Sequence, residues 1–365
     1  MFTVAIGCGG TGGHVYPGLA IGAELRERGC RVLALLSGGG GGEHAARAKE
    51  MGLEALVVPS VRLPASRTGL PLFGFRFLVC GLSARRLLRS MGCDAVVGMG
   101  SFASAPVCLG AVLCGVPLVL HEGNAVVGRA NRLFSRRARA LAVSLPLAPG
   151  QHVHCTVVQT GLPVRQAIVD AARNSNLPRD DDFVQWGLEP DRETVLVFGG
   201  SQGAEALNAA TPAGIARISG RRIQVIHLTG EGRAQAVGEA YERLGIAAVV
   251  REGVSAMERL YALADVVVCR AGASTLTELA LLDKPAVLVP LPSAADDHQS
   301  ANAKVFSCSF PAVRISQSEA MPERIGEAVE ALLAGTVTVA SADVPFVPNP
   351  TAAAAVADLV PGSNG

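Results

Sequence analysis

The amino-acid sequence predicts an α/β protein built from two doubly wound parallel sheets. Short apolar stretches alternate with helical segments along the whole chain, which is typical of parallel strands joined by crossover helices. Glycine-rich turns follow several of these strands, as in GCGGTGG near the N-terminus and GGSQG near residue 200. The length of 365 residues suits two domains better than one.

The composition excludes several classes of protein. Apolar residues make up 49% of the chain, enough for two buried cores. The nine cysteines are scattered without a CxxC pair, which predicts reduced thiols in a cytosolic protein and no metal site. The N-terminus has no basic region before an apolar run, so we expect no signal peptide. The longest apolar run, residues 105–120, is short and is interrupted by Gly115 and Pro117, so we expect no transmembrane helix.

The two halves of the chain differ in charge. Residues 1–169 hold 17 Lys and Arg against 7 Asp and Glu, a net charge of +10. Residues 170–365 hold 15 against 24, a net charge of −9. This asymmetry indicates that the first half meets something anionic, such as a membrane surface, a phosphate or a nucleic acid. A solvated basic face is the alternative interpretation.

A first strand, residues 3–6, leads into a glycine-rich turn and a helix. The turn satisfies G-x-G-x-x-G, which alone is weak support for a dinucleotide site. A nicotinamide-binding protein would place an acidic residue at the end of the second strand, here residues 31–36, and none is present. His14 follows the turn directly, where it could serve as a general base or simply pack against the loop.

A third strand is predicted at residues 53–59, and residues 61–90 follow with apolar and basic side chains interleaved. Such a cluster favours an interfacial membrane contact, although a helix packed on the sheet with its arginines in water would look similar. The apolar members are Leu72, Phe73, Phe75, Phe77 and Leu78, and the basic members are Arg62, Arg67, Arg76, Arg85, Arg86 and Arg89.

Two further strands are predicted at residues 94–98 and 117–121, and a short one at 157–160. His121, Glu122 and Asn124 come at the end of the second of these strands, where ligand-binding groups of parallel sheets collect. A helix is then predicted to carry five arginines, Arg129, Arg132, Arg136, Arg137 and Arg139.

The second half repeats the alternation, with strands predicted at residues 194–198, 223–228 and 247–250. Ser201 lies in the glycine-rich turn after the first of them, a favourable place for a phosphate contact. Residues 265–303 form another strand–helix–strand unit, with strands at 266–268 and 286–289. The helix begins at Ser274, whose neighbouring backbone N–H groups could face a phosphate, unless Ser274 is only an N-cap. Glu278, one turn further on, can accept hydrogen bonds from a sugar diol.

Five motifs occur together in one order: GGTGGH, HEGNAVVGRANR, GLPVR, VFGGSQGAEALN and RAGASTLTELALLDKPAVLVPLPSAADDHQSANA. In this the chain resembles the MurG family of peptidoglycan glycosyltransferases, over about residues 3–360. The resemblance implies a GT-B architecture, two Rossmann-like domains facing each other across a cleft. The first would span residues 1–165, with a C-terminal helix at about 350–361 packing back on it, and the second residues 166–347.

The resemblance also implies an activity. The family transfers N-acetylglucosamine from UDP-N-acetylglucosamine (UDP-GlcNAc) to the muramyl C4 hydroxyl of lipid I, undecaprenyl-pyrophosphoryl-N-acetylmuramyl-pentapeptide, and so makes lipid II for peptidoglycan. The anomeric configuration inverts, and neither a metal nor another cofactor is needed. The enzyme works on the cytoplasmic side of the bacterial membrane as a peripheral protein, and no nucleic acid is involved.

The family's site residues carry over motif by motif. His14 matches the proposed base, a task that Glu122 could share, and Phe102 lies on the acceptor side with His14. The residues expected to bind UDP-GlcNAc are Thr11, Gly12, Gly13, Asn124, Arg165, Ser201, Val254, Ala273, Ser274, Thr275, Leu276, Thr277, Glu278 and Gln299. Among these, Val254 is expected to contact uracil, and residues 273–277 are expected to form the turn under the diphosphate. Glu278 is expected to bind the ribose hydroxyls and Gln299 the hydroxyls of the transferred sugar.

The sequence departs from the family pattern mainly on the acceptor side. Ser101 and Ala105 stand where glycines are usual, Gly123 where glutamine is usual and Leu162 where asparagine is usual. The alternative function is therefore another GT-B UDP-sugar glycosyltransferase with a membrane lipid acceptor, such as diacylglycerol. A silent UDP-sugar-binding protein is disfavoured because His14 and the donor residues are retained.

Overall fold

The computed structural model describes residues 1–9, 12–37, 41–61, 64, 66–173, 179–200, 203–340 and 343–363, without the side chains of residues 41, 43, 67 and 179–182. The chain divides into two compact units. One comprises Met1–Arg165 with Asn349–Gly365, and the other comprises Gln166–Pro348.

Parallel strands form a seven-stranded sheet in the described part of the first unit, in the order β3-β2-β1-β4-β5-β6-β7. The strands are β1 (Thr3–Gly9), β2 (Arg31–Ser37), β3 (Glu54–Val57), β4 (Ala95–Gly98), β5 (Leu118–Glu122), β6 (Ala140–Val143) and β7 (Thr156–Gln159). The helices are α1 (Gly12–Glu27), α2 (Gly41–Glu50), α3 (Leu70–Ser90), α4 (Ala105–Cys114) and α5 (Arg129–Phe134), with a 3-10 turn at Arg67–Gly69.

The central strands of this sheet are apolar because both of their faces are covered. Along β1, Val4 and Ile6 pack into the core beneath α1, whereas Ala5 packs into the core beneath α4. The strand order reverses between β1 and β4, so right-handed crossovers place α1 and α2 on one face and α3, α4 and α5 on the other. The crevice where ligands of such sheets bind lies at the carboxyl ends of β1 and β4.

The second unit has the same plan. Six parallel strands run in the order β10-β9-β8-β11-β12-β13, and the reversal falls between β8 and β11. The strands are β8 (Glu193–Phe198), β9 (Ile223–Leu228), β10 (Ala247–Arg251), β11 (Val266–Cys269), β12 (Ala286–Leu288) and β13 (Ala312–Arg314). The helices are α6 (Gln166–Arg173), α7 (Arg179–Trp186), α8 (Glu205–Ile215), α9 (Ala234–Arg243), α10 (Met257–Leu263), α11 (Ala273–Leu281), α12 (His298–Ser307) and α13 (Pro322–Leu333), with 3-10 turns at Ala295–Asp297 and Gln317–Glu319.

The C-terminal segment belongs to the first unit, where α14 (Ala352–Ala357) packs against α1. Arg28, just after α1, donates to Asp358 at 2.6 Å and to the carbonyl of Ala354 at 3.1 Å. Where the segment returns, Asn349 donates to the carbonyl of Thr160 at 2.8 Å. Among the described residues, no helix has both the length and the apolar character to cross a membrane.

The predicted fold class, two doubly wound parallel sheets, is confirmed. Two strands, β6 and β13, are absent from the sequence prediction. Residues 129–139 were expected to be one helix, but α5 ends at Phe134 and a turn leads into β6. The turn was not predicted because the spacing of the arginines from Arg136 to Arg139 continues the pattern of basic residues in the helix.

Candidate active site

The first group of site residues lies where β1 runs into α1. The turn approaches the loop after β4 so closely that a Cβ atom on Gly9 would lie 2.2 Å from Ser101 Oγ. Thr11 lies outside the described residues, and α1 begins at Gly12. His14, in the first turn of α1, is half-buried, and its Nδ1 lies 2.8 Å from the carbonyl oxygen of Met99. A carbonyl only accepts, so Nδ1 carries the proton and the lone pair of the neutral ring is on Nε2.

The loop after β4 is held from two sides, which fixes the Met99 carbonyl. Ser37, the last residue of β2, donates to the carbonyl of Ala103 at 2.9 Å. Ser104 donates through its hydroxyl to the carbonyl of Ser101 at 2.8 Å. Phe102, expected on the acceptor side, is half-buried and meets Phe73 of α3 edge to face, with 6.4 Å between ring centroids.

Glu122, at the end of β5, is buried with both carboxylate oxygens occupied. Oε1 accepts from the backbone N–H of Asn124 at 3.1 Å and from the Asn124 side chain at 3.2 Å. Oε2 accepts from the N–H of Gly128 at 2.8 Å and from Asn131 at 3.0 Å. A carboxylate so engaged anchors the loop into α5 and orients Asn124, which favours positioning over proton transfer.

His121 precedes Glu122 and is also buried. Its Nε2 lies 3.2 Å from the hydroxyl of Ser144. Burial, with a smaller contribution from the nearby charge of His14, lowers the pKa of His121 to about 4, so the ring is neutral at physiological pH. The neighbouring histidine at this sheet edge, His121, is therefore uncharged and does not repel a proton on His14.

In the second unit, two side chains outside the predicted set hold the loops at the end of β11. Asn302 of α12, fully buried, donates to the carbonyl of Ala271 at 3.1 Å. Arg270 donates to the carbonyl of Val289 at 3.0 Å and to the side chain of Gln317 at 2.7 Å. The turns after β11 and β12 are thereby fastened to each other.

The N-terminus of α11 presents backbone donors. The N–H of Leu276 donates to the carbonyl of Gly272 at 3.0 Å, so the N–H groups of residues 273–275 have no acceptor within the helix. Aligned helix dipoles make this end attractive to an anion. The side chains of Leu276 and Thr277 are fully buried, and the Thr277 hydroxyl donates to the carbonyl of residue 273. Of the five residues predicted under a diphosphate, residues 273–275 are the ones whose N–H groups have no acceptor within the helix.

Glu278 and Gln299 each have a hydrogen-bond partner that helps to orient the side chain. The Tyr261 hydroxyl donates to Glu278 Oε2 at 2.8 Å. Burial, and then the charge of Glu278, raise the pKa of the Cys269 thiol. Gln299 accepts from the backbone N–H of Leu291 at 2.9 Å through Oε1, so its NH2 group is the part suited to donate to a sugar hydroxyl.

The remaining predicted residues have few described contacts. Arg165 is half-buried and is the last residue of the first unit before α6. Val254 is half-buried just after β10, and Gly13 is exposed in the first turn of α1. Ser201 lies outside the described residues. Within the first unit, the structure brings His14 and the residues after β5 to one sheet edge; within the second, it gathers the donors of α11, Glu278 and Gln299.

Sequence reasoning missed four groups that hold this site: the Met99 carbonyl, Asn131, Arg270 and Asn302. A backbone carbonyl leaves no sequence signal. The three side chains lie within quoted motifs, but their partners are distant in sequence or on the backbone. In the described part of the chain, no three His, Cys, Asp or Glu side chains are grouped as metal ligands.

Two family models match the sequence. Residues 4–143 match the glycosyltransferase family 28 N-terminal domain, and residues 194–343 match the glycosyltransferase family 28 C-terminal domain. Each match lies within one of the two units. Together they cover the β1–α1 turn, the β5 end and the whole of α11.

Curated relatives match over nearly the whole chain. A protein of Alkalilimnicola ehrlichii is 40% identical over 347 residues, which cover 91% of this chain and 90% of that protein. A protein of Alcanivorax borkumensis is 40% identical over 318 residues, covering 87% of this chain and 85% of that protein. Both are named UDP-N-acetylglucosamine–N-acetylmuramyl-(pentapeptide) pyrophosphoryl-undecaprenol N-acetylglucosamine transferase.

Among solved structures, MurG of Acinetobacter baumannii superposes with a TM-score of 0.75 at 29% identity and covers 99% of both chains. The UDP-GlcNAc 2-epimerase of Neisseria meningitidis superposes with a TM-score of 0.66 at 10% identity, covering 98% of this chain and 99% of that one. Because the epimerase is only 10% identical in sequence, this match shows a similar fold and nothing about function.

Proposed function

The chain belongs to the MurG family of glycosyltransferases, and from that premise we propose that it transfers N-acetylglucosamine from UDP-GlcNAc to the muramyl C4 hydroxyl of lipid I, yielding lipid II for peptidoglycan. The transfer inverts the anomeric carbon and needs no metal. The strongest support is the match, at 40% identity over 91% of the chain, to a relative whose name specifies that donor and acceptor.

His14 is the proposed general base. The hydrogen bond from Nδ1 to the Met99 carbonyl sets the tautomer and the ring orientation, and leaves the Nε2 lone pair to take a proton. As the C4 hydroxyl oxygen bonds to C1 of the donor sugar, its proton passes to Nε2. The bond between C1 and the phosphate oxygen breaks, and UDP leaves with that electron pair. Attack on the face opposite UDP inverts C1.

The departing diphosphate is stabilised by the N-terminus of α11. The N–H groups of residues 273–275 point out of the helix, and the helix dipole adds partial positive charge at the same place. Glu278, oriented by Tyr261, holds the ribose hydroxyls, and the NH2 group of Gln299 holds the transferred sugar. Asn124, whose side chain is oriented by Glu122, is a proposed contact for the transferred sugar on the family resemblance. Thr11, Gly12, Gly13, Arg165, Ser201 and Val254 remain proposed donor contacts on the family resemblance.

The face of the first unit that carries α3 is the proposed membrane contact. Phe75 is 66% exposed and Leu72 54%, and Arg86 and Arg89 are exposed on the same helix. An apolar surface rimmed by arginines suits an anionic leaflet. Not every member of the predicted cluster takes part. Arg85 donates to the carbonyl of Leu113 at 3.1 Å and is only half-exposed.

Radiolabel transfer tests the function. The assay supplies UDP-GlcNAc with a lipid I analogue in EDTA, beside UDP-glucose with diacylglycerol. We expect transfer to the lipid I analogue alone, undiminished by EDTA, and a β-linked product by NMR. Transfer to diacylglycerol instead would assign the chain the alternative membrane-lipid acceptor, and the departures at Ser101, Gly123 and Leu162 would then be the first residues to examine.

Binding to anionic vesicles tests the membrane contact. Phe75→Ser combined with Arg86→Gln and Arg89→Gln should weaken binding by about tenfold or more, since each arginine near an anionic surface contributes about 1 kcal/mol. The control is Leu244→Ser with Arg243→Gln, which removes an exposed leucine and arginine from the second unit. Equal binding by both variants would place the contact elsewhere.

A further inference from the structure

Three buried side chains in the second unit form one continuous series of hydrogen bonds. The Tyr241 hydroxyl of α9 lies 3.0 Å from His227 Nδ1 on β9. His227 Nε2 lies 3.1 Å from Asn208 Oδ1 on α8, and Asn208 Nδ2 lies 3.0 Å from the carbonyl oxygen of Thr229. Exposure is 0% at His227, 1% at Tyr241 and 8% at Asn208. We call these three side chains the relay.

The direction of every proton in the relay follows from its last bond. The Thr229 carbonyl only accepts, so Asn208 presents its NH2 group there and its oxygen to His227. His227 therefore donates from Nε2 and accepts at Nδ1 from the Tyr241 hydroxyl. Burial lowers the pKa of His227 to about 3 and raises that of Tyr241, so both remain neutral. The three bonds thus run in one direction with one histidine tautomer, which makes the relay a rigid connection.

The relay ends at a corner of the backbone, residues 229–230, just after β9. Gly203, just before α8, packs on this corner so tightly that a Cβ atom on it would lie 2.1 Å from the Thr229 oxygen. Gly203 also has a φ of +71°, which favours glycine. The Thr229 oxygen that accepts from Asn208 is thus the atom against which Gly203 packs.

The same corner holds the chain that leaves β10. The N–H of Thr229 donates to the carbonyl of Arg251 at 2.9 Å, and the N–H of Gly230 donates to the carbonyl of Glu252 at 3.0 Å. The Glu252 carboxylate accepts from the N–H of Gly232 at 2.8 Å. Two residues further along lies Val254, the proposed uracil contact. One buried corner therefore contacts both Gly203, which lies two positions after the proposed phosphate contact Ser201 in the sequence, and the segment that leads to Val254.

We propose that Tyr241, His227 and Asn208 are positioning residues for UDP-GlcNAc: by fixing the corner at residues 229–230 they set the position of Gly203 relative to the segment that carries Val254, the proposed uracil contact. The proposal rests on the proposed function for the identity of the donor. None of the three side chains needs to touch the nucleotide. Their effect is exerted through the Thr229 carbonyl and the backbone that packs on it.

The test compares substrates in steady-state kinetics of the full chain. Tyr241→Phe removes one hydroxyl, and Asn208→Ala removes the link to Thr229. Each should raise the KM for UDP-GlcNAc and the Kd for UDP by roughly two- to tenfold, the range for a lost hydrogen bond of ordinary strength. The KM for the lipid I analogue should not change. In the double variant the effects should be less than additive, because either change breaks the same series.

Thr211→Val is the matched control. Thr211 lies on α8, is fully buried, and its hydroxyl has no hydrogen-bond partner among the described residues. This variant should keep the wild-type KM for the donor. If Tyr241→Phe and Asn208→Ala lower kcat or the melting temperature while both KM values stay at wild type, the relay is only structural and the proposal is wrong.

Calorimetric titration with UDP separates this proposal from the proposed function. In one outcome the wild-type protein transfers N-acetylglucosamine to lipid I, and the relay variants keep the wild-type affinity for UDP. That result would overturn the proposed positioning role of the relay and leave the proposed function standing. Wild-type protein that binds UDP but does not transfer would overturn the acceptor, while weaker UDP binding by the variants would still support the relay. If Tyr241→Phe does not fold, Asn208→Ala gives the same comparison.

Discussion

His14 and His227 stand beside the carboxyl ends of parallel strands, one in each unit, yet their surroundings differ in every respect that governs chemistry. His14 is half-buried in the first turn of α1 and engages a backbone carbonyl through Nδ1. His227 is fully buried within β9, and both ring nitrogens have side-chain partners. The proposed base His14 and the buried His227 therefore differ in burial and in partners, and these two properties decide whether a histidine ring can exchange a proton.

The largest effect that this contrast predicts is on the chemical step. His14→Ala should lower kcat by about 10²- to 10⁴-fold, the usual contribution of a general base, while the affinity for UDP and the melting temperature stay near wild type. His152→Ala, which removes an exposed histidine of the same unit, is the control. Single-turnover kinetics with the lipid I analogue would decide, and near-normal turnover would exclude His14 as an essential base.

The reciprocal prediction concerns stability. His227→Ala should reduce the free energy of unfolding by about 2–4 kcal/mol, since it opens a cavity and leaves buried groups of Asn208 and Tyr241 without partners. Urea denaturation followed by circular dichroism measures this. An unfolding midpoint equal to that of wild type would mean that water or neighbouring side chains satisfy these groups, and the contrast with His14 would no longer hold.

Much of the fold could be predicted because buried parallel strands appear in the sequence as short runs of apolar residues. The strands around residues 266–268 and 286–289 appear as β11 and β12. β6 was missed because the arginine-rich segment before it resembles a continuing helix. β13 is as short as β12 but is only partly buried and ends in Arg314, so it lacks the apolar run that marks β12.

The site was less predictable, for a physical reason. The motif positions of His14 and Glu278 could be found because function demands particular side chains there. What holds them could not, since the Met99 carbonyl is a backbone atom and Tyr261 lies 17 residues from Glu278. Glu122 shows the limit most clearly. Its position after β5 suggested a possible base, whereas its four accepted hydrogen bonds indicate an anchor.

That interpretation of Glu122 can be tested by an isosteric change. In Glu122→Gln, an NH2 group must face either the two donors of Asn124 or the donors of Gly128 and Asn131, so two donors lose this acceptor. We expect the free energy of unfolding to fall by about 1–3 kcal/mol, with a lower kcat because Asn124 is misplaced. Thermal unfolding and kinetics measured together would distinguish the roles: a base would show lost turnover with unchanged stability.

The last effect is a gradual one, the pH dependence of stability, and it follows from the burial of His121 and His227. The pKa values of His121 and His227 fall in the folded protein to about 4 and about 3, from an ordinary value of 6.5. Below about pH 6.5 the unfolded chain binds protons at these rings that the folded chain does not, so stability falls as the pH drops towards 4. The slope is at most about 1.4 kcal/mol per pH unit for each histidine. His227→Gln should reduce that slope by one histidine's share in denaturant titrations between pH 4 and 7. A slope identical to wild type would mean that His227 takes up its proton in the folded state, contrary to its burial.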